Sequence, residues 1–140
     1  MANKTYKGSC HCGAVRYEAD LDLAQGVGEC NCTICTKLAA AGTRCKPEQL
    51  RVTQGEDTLH TYEWGGKIMK RYFCPACGVH MFSRGYLEVM GGAFASVNTN
   101  TLDDIDPSTL EVRYWDGRHN NWQAGMRERP WPIAVTTLGM

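Results

Sequence analysis

The sequence has no excess of charge of either sign and no long apolar run. Lysine plus arginine and aspartate plus glutamate number 15 each in 140 residues, so the formal net charge is zero. Partners such as nucleic acid or an anionic membrane favour a basic surface, and this balance gives no sign of one. No stretch of about 18 apolar residues could cross a bilayer, and polar residues 1–7 lack the apolar core of a signal peptide. We therefore expect a cytoplasmic protein that binds neither nucleic acid nor membrane.

Helical periodicity is also scarce. Residues 15–21 alternate between apolar and polar side chains, which predicts a half-buried strand, and residues 59–64, 68–73 and 110–115 have similar patterns. Turn residues separate these segments at Gly55-Glu56-Asp57, Gly65-Gly66, Gly91-Gly92 and Asp116-Gly117. Residues 33–41 could form one or two helical turns, and residues 101–105 another. The patterns predict a mainly β protein.

The length of 140 residues suits a single domain, and no internal repeat or linker divides it. We expect a domain over residues 1–140, with its core at about residues 6–122. Residues 123–140 contain Pro130 and Pro132 and lose the alternation, which favours a surface extension. Trp131 could dock this extension on the body or on a second copy in a homo-oligomer, or the segment could be a free tail.

Cysteine is abundant in comparison. Seven of the eight cysteines fall into three clusters: Cys10-His11-Cys12, Cys30-Asn31-Cys32-Thr33-Ile34-Cys35 and Cys74-Pro75-Ala76-Cys77. In a reducing compartment, clustered cysteines are more often metal ligands or catalytic thiols than disulfides. Seven thiolates divide into one closed set of four, typical of a structural zinc, and one open set of three that leaves a coordination position free.

The third cluster is a tight Cys-X-X-Cys turn, and the first contributes a close pair of cysteines. Together they can supply four sulfurs to one metal ion, from positions about 60 residues apart. That pairing leaves Cys30, Cys32 and Cys35 as the open set. Another grouping of the same ligands, redox thiols and an iron–sulfur cluster are alternatives, although a cluster normally takes four cysteines. Two zinc ions are the economical interpretation.

An open zinc with three thiolate ligands is suited to soft substrates. The three ligand charges damp its power to polarise an oxygen, whereas a thiol is a good fourth ligand that would stay ionised and nucleophilic there. The open set therefore points to thiol chemistry.

Several other residues admit a functional and a structural interpretation. Cys45 stands alone and is expected to be a small buried residue. His80 is expected to be packed or hydrogen-bonded rather than an acid–base catalyst, and His11 to face solvent or support a ligand. Tryptophans are expected in the core or at a pocket rim, and scattered basic residues on the solvated surface: Trp64, Trp115, Trp122, Arg44, Lys46, Lys70, Arg71 and Arg84.

The three cysteine motifs are flanked by further characteristic residues: Gly8-Ser9, Gly13-Ala14-Val15, Phe73 and Gly78-Val79-His80-Met81-Phe82. Together these segments resemble the glutathione-dependent formaldehyde-activating family, which also includes centromere protein V. The resemblance runs from about Tyr6 to Trp122. It implies a β-tent fold of short antiparallel sheets with two zincs. Cys10, Cys12, Cys74 and Cys77 would bind the structural ion, and Cys30, Cys32 and Cys35 the catalytic one.

The activity implied by the resemblance is a carbon–sulfur lyase reaction that joins glutathione, or a related thiol, to formaldehyde. The alternative is a non-catalytic zinc-binding interaction module on the same scaffold, although the balanced charge gives a nucleic-acid partner no support. A third possibility, methionine sulfoxide reduction, needs a reactive cysteine outside the zinc ligands, and only Cys45 is available.

Overall fold

The computed structural model of the protein describes residues 3–135, which form ten strands and one α-helix. The elements are β1 (Lys4–Ser9), β2 (Arg16–Leu21), β3 (Val27–Cys30), α1 (Thr33–Leu38), β4 (Gly42–Cys45), β5 (Leu50–Gln54), β6 (His60–Tyr62), β7 (Met69–Phe73), β8 (His80–Leu87), β9 (Gly92–Asn98) and β10 (Val112–Trp115). Short 3-10 turns connect several of them. The mainly β prediction is confirmed.

The strands form two sheets. A small antiparallel sheet has the order β1-β2-β5, and a larger one has the order β10-β3-β4-β9-β8-β7-β6. The expectation of antiparallel sheets is wrong for one pair, because β10 runs parallel to β3. Parallel strands need a long crossover, and here residues 31–111 lie between them. This pairing places residues 112–115 beside the strand that ends at Cys30.

The core lies between the two sheets. Tyr17, Ala19 and Leu21 of β2 are buried and alternate with more accessible neighbours, as predicted. The Tyr17 ring meets Phe82 edge to face at 5.4 Å between centroids. The hydroxyl of Tyr17 lies 2.6 Å from that of Thr101, so this buried polar group has a partner.

Most of the predicted elements are present. The strands predicted at residues 59–64, 68–73 and 110–115 correspond to β6, β7 and β10, and the helix at residues 33–41 is α1. The helical turn predicted at residues 101–105 is wrong. The 3-10 turn is Thr99–Thr101, since the Asn98 side chain caps it at the Asn100 N–H, and Leu102 then forms a β-bridge with Gly8.

The described part of the C-terminal extension lies against β10 of its own chain. Arg127 and Tyr114 exchange backbone hydrogen bonds of 2.8 and 3.1 Å, and the Trp131 indole donates to the Tyr114 carbonyl at 2.8 Å. Residues 136–140 of the extension are outside the described residues, and the boundary at residue 122 stays a prediction. Within residues 3–135, no helix is long and apolar enough to span a membrane.

Candidate metal centres

Two similar turns bring four cysteines together. Cys10 follows β1 and Cys74 follows β7, and each donates its backbone N–H to the carbonyl five residues later, at 3.1 Å in both cases. Gly13 and Gly78 close the turns with φ of 79° and 76°, a left-handed conformation that glycine adopts without strain. Cys12 and Cys77 complete the set, so the structure assembles the four residues predicted from the spacing: Cys10, Cys12, Cys74 and Cys77.

The spacing of the sulfurs fits a tetrahedral metal. Metal–sulfur bonds of about 2.3 Å separate the ligand sulfurs of a tetrahedral site by about 3.8 Å. The Cys12 sulfur lies 3.7 Å from the sulfurs of Cys10 and of Cys74, and all four lie within 4.8 Å of one another. These separations are far longer than the roughly 2.05 Å of a disulfide. The four-cysteine set could therefore hold one metal ion.

Backbone hydrogen bonds favour the ionised, ligating form of two of these thiols. Burial raises the pKa of Cys10, but the Val15 N–H at 3.3 Å and neighbouring thiols outweigh it, so the pKa is lowered. A backbone hydrogen bond from Cys12 lowers the pKa of Cys77 to about 6. Both shifts favour the thiolates that a metal ion requires.

The second set is built by a strand end and a helix start. Cys30 is the last residue of β3, Cys32 precedes the first residue of α1, and Cys35 lies on the first turn of that helix. Their sulfurs lie within 4.8 Å of one another, and no fourth histidine, cysteine or acidic ligand joins them among residues 3–135. Hydrogen bonds from Cys30 and then Cys35 lower the pKa of Cys32, and the charge of Arg71 lowers it further. The three-cysteine set could hold a metal ion and leave a position open.

A polar network fixes the backbone between Cys30 and Cys32. The Asn31 amide donates to buried Asp116 at 2.9 Å and accepts the Arg118 N–H at 2.9 Å, while the Arg118 guanidinium donates to the Asn31 carbonyl at 2.8 Å. His119 also bonds Asp116, at 2.7 Å. Burial raises the pKa of Asp116, but these hydrogen bonds outweigh it and the pKa is lowered, so the carboxylate stays charged. We call these four residues the Asp116 network.

Gly117, beside this network, leaves room for Cys30. A Cβ at this position would lie 2.4 Å from the Cys30 sulfur and 2.7 Å from the Trp122 ring. Any side chain here would displace a ligand of the three-cysteine set.

A cavity of about 280 Å³ adjoins the three-cysteine set. Cys30 and Cys35 line it together with aromatic, polar and C-terminal residues: Glu29, Asn31, Thr36, Ala39, Tyr114, Trp115, Pro130 and Trp131. No cavity residue belongs to the four-cysteine set. This cavity therefore adjoins only the set with three ligands.

The remaining candidates mostly occupy structural positions. Cys45 packs against the core outside both sets, and burial raises its pKa to about 11. His80 bonds the Tyr72 carbonyl at 3.1 Å, and burial lowers its pKa to about 4, so the ring is neutral at pH 7. His11 is exposed. Of the tryptophans considered, Trp115 lines the cavity, and of the basic residues Arg71 acts on a cysteine of the open set.

Sequence reasoning missed the Asp116 network and the place of Tyr114 in the cavity lining. Asp116-Gly117 had the signature of a turn, and nothing local relates Asp116 to Asn31, 85 positions earlier. The indirect signal was Asn31 itself, a polar amide between two ligands with no metal-binding role of its own.

Comparison with known proteins agrees with this geometry. A family model described as "Glutathione-dependent formaldehyde-activating enzyme" matches residues 5–118, which contain both cysteine sets. A crystal structure of a Rhodobacter sphaeroides protein is similar, with 26% sequence identity over 90% of this chain and 99% of that chain and a TM-score of 0.66. The family match ends before Pro130 and Trp131, so the cavity combines residues inside and outside the matched region.

Proposed function

The chain belongs to the glutathione-dependent formaldehyde-activating enzyme family, and from this premise we propose that it is a zinc-dependent carbon–sulfur lyase that joins a small thiol to a small aldehyde. Glutathione and formaldehyde are the first candidates. Cys10, Cys12, Cys74 and Cys77 would hold a structural zinc, and Cys30, Cys32 and Cys35 a catalytic one. The observation that carries the proposal is the cavity at Cys30 and Cys35, beside a set with only three ligands.

The chemistry requires a reactive thiolate. When bound to the open set, zinc would keep an incoming thiol ionised below its free pKa of about 8.5, and the three cysteine thiolates would leave its sulfur nucleophilic. The sulfur attacks the aldehyde carbon and forms the new S–C bond, while the π pair of the C=O bond moves to the oxygen. That oxygen takes up the proton that the thiol released, and the product is an S-hydroxyalkyl thiol adduct. The reverse sequence cleaves the S–C bond.

Residues of this chain support that step in two ways. The Asp116 network holds the Asn31 backbone, which keeps Cys30 and Cys32 converged before any ligand binds. The Arg71 charge acts on Cys32 and offsets part of the negative charge of three thiolates. Such preorganisation lowers the reorganisation that the reaction needs.

Exchange NMR tests the proposal directly. Zinc-loaded protein is added to glutathione and ¹³C-formaldehyde, and magnetisation transfer between hydrated formaldehyde and S-hydroxymethylglutathione gives the exchange rate. We expect the wild-type protein and Cys45→Ser to accelerate exchange, and Cys32→Ser to lose the acceleration while keeping its circular dichroism spectrum. Cys45 is the matched control, because it lies outside both sets.

If Cys32→Ser accelerates exchange as much as the wild-type protein does, the assignment of Cys30, Cys32 and Cys35 as the catalytic set is refuted. A wild-type protein that binds two zinc ions and accelerates exchange of no thiol would instead favour the non-catalytic interaction module.

A further inference from the structure

The cavity beside the three-cysteine set has an aromatic wall. Cys30 and Cys35 are among its lining residues, together with three aromatic residues, Tyr114, Trp115 and Trp131. Ligand pockets of proteins usually measure about 300–1,000 Å³, so a cavity of about 280 Å³ suits a small group. It is nevertheless much larger than a hydroxymethyl group needs.

Trp131 is held in place from two sides. Its indole N–H donates to the Tyr114 carbonyl at 2.8 Å, and the Arg127 guanidinium lies 3.9 Å from the centre of its ring. Arg127 also donates to the carbonyls of Arg129 and Pro130, at 2.9 and 2.7 Å. The ring is therefore a preformed wall, and binding need not order it.

The charges of the lining do not match glutathione. Within residues 3–135, the only charged side chain that lines the cavity is Glu29, and no lysine or arginine does. Arg118 is not a lining residue, and two of the N–H groups of its guanidinium bond the Asn31 carbonyl and, at 3.2 Å, the Thr36 hydroxyl. The two carboxylates of glutathione would find no basic partner in this lining, whereas an apolar ring would find aromatic residues in it.

We propose that this cavity binds a planar apolar group of the thiol–aldehyde adduct, of about phenyl size, and that Trp131 is the specificity-determining residue for it. The inference rests on the proposed function and names the substrate class for the same site. Trp131 lies beyond the family match of residues 5–118, so this preference is a property of the C-terminal segment.

Isothermal titration calorimetry on the zinc-loaded full chain tests the inference with benzyl mercaptan and ethanethiol. We expect benzyl mercaptan to bind about tenfold more tightly than ethanethiol, because its ring adds aromatic contacts to the burial of apolar area. Trp131→Ala should remove this difference without changing the ethanethiol affinity, and Trp131→Phe should keep most of it. Trp64→Ala is the matched control, since Trp64 lies between β6 and β7 and is not among the lining residues of the cavity.

A second titration identifies which reactant carries the ring. Benzaldehyde and acetaldehyde are titrated into glutathione-saturated wild-type protein and Trp131→Ala. A Trp131-dependent preference for the aromatic compound in either titration supports the inference and assigns the ring to the thiol or to the aldehyde. No preference in either titration, or an equal loss in Trp64→Ala, overturns it.

The outcomes also separate this inference from the function on which it rests. If formaldehyde exchange with glutathione is catalysed but no aromatic preference appears, only the substrate class is wrong. If neither glutathione nor the two thiols bind to the zinc-loaded protein, the proposed function fails and this inference fails with it.

Discussion

Gly117→Ala is expected to disable the three-cysteine set and leave the four-cysteine set loaded. The added Cβ would lie 2.4 Å from the Cys30 sulfur, whereas non-bonded heavy atoms rest at about 3.5–4.0 Å. Either the sulfur or the backbone must therefore move by more than about 1 Å, against a tolerance of about 0.2 Å in metal–ligand distances. The Trp122 ring, 2.7 Å from the same Cβ, is half exposed and can move aside more easily.

The expected loss of metal affinity in Gly117→Ala follows from the energy cost of overpacking. Extra methyl groups in a packed site cost about 1–3 kcal/mol. If that energy opposes binding of the second ion, its affinity falls about 5- to 150-fold. The four-cysteine set contains none of the displaced residues, so its affinity should not change.

The assay is competition of the zinc-loaded protein with a chromophoric chelator, followed by metal analysis of the protein. Wild type should retain two ions at a chelator strength that leaves Gly117→Ala with one. Gly66→Ala is the matched control, because its Cβ would meet nothing closer than 3.7 Å and neither glycine has a left-handed φ. The reasoning is refuted if Gly117→Ala holds two ions with wild-type affinity.

Three further substitutions test the fold. Cys77→Ser should leave the chain unfolded at 25 °C by circular dichroism, since a structural zinc at the four-cysteine set would contribute roughly 10–16 kcal/mol to folding; a folded variant with an unchanged melting temperature would contradict this. Because burial lowers the pKa of His80 to about 4, below its unfolded value of about 6.5, protonation favours the unfolded state as pH falls through this window. Between pH 7 and pH 5, the free energy of unfolding in urea should therefore fall by about 2 kcal/mol less in His80→Gln than in the wild-type protein. If the free energies of the two proteins fall in parallel with pH, the reasoning is refuted. Tyr17→Phe removes the 2.6 Å bond to Thr101 and should lower the free energy of unfolding by about 1 kcal/mol; an unchanged denaturation midpoint would show that the bond contributes nothing.

Each cysteine cluster could be predicted because its chemistry is local, and the count of seven ligands then suggested pairing the first cluster with the third across about 60 positions. Each cluster places its sulfurs within a few residues, and a turn of two or three residues already fixes where they point. The strand β2 was also predictable, since one of its faces is buried and the other is more accessible.

The strands β8 and β9 were not predicted, for a physical reason. Met81, Phe82 and Ser83 are buried in succession because both faces of β8 are covered there, so no alternation remains to detect. The Asp116 network and the parallel pairing of β10 with β3 depend on residues about 85 positions apart, and short-range patterns carry no information about such contacts.

The parallel pairing of β10 with β3 has a consequence for synthesis on the ribosome. All ligands of the four-cysteine set have been translated once Cys77 is added, whereas the strand and network that brace Cys30 need residues 112–119. At about 5–20 residues per second, roughly 40 further residues take about 2–8 seconds to translate. The nascent chain therefore completes one cysteine set several seconds before the supports of the other exist, which predicts an order of metal loading that begins with the four-cysteine set.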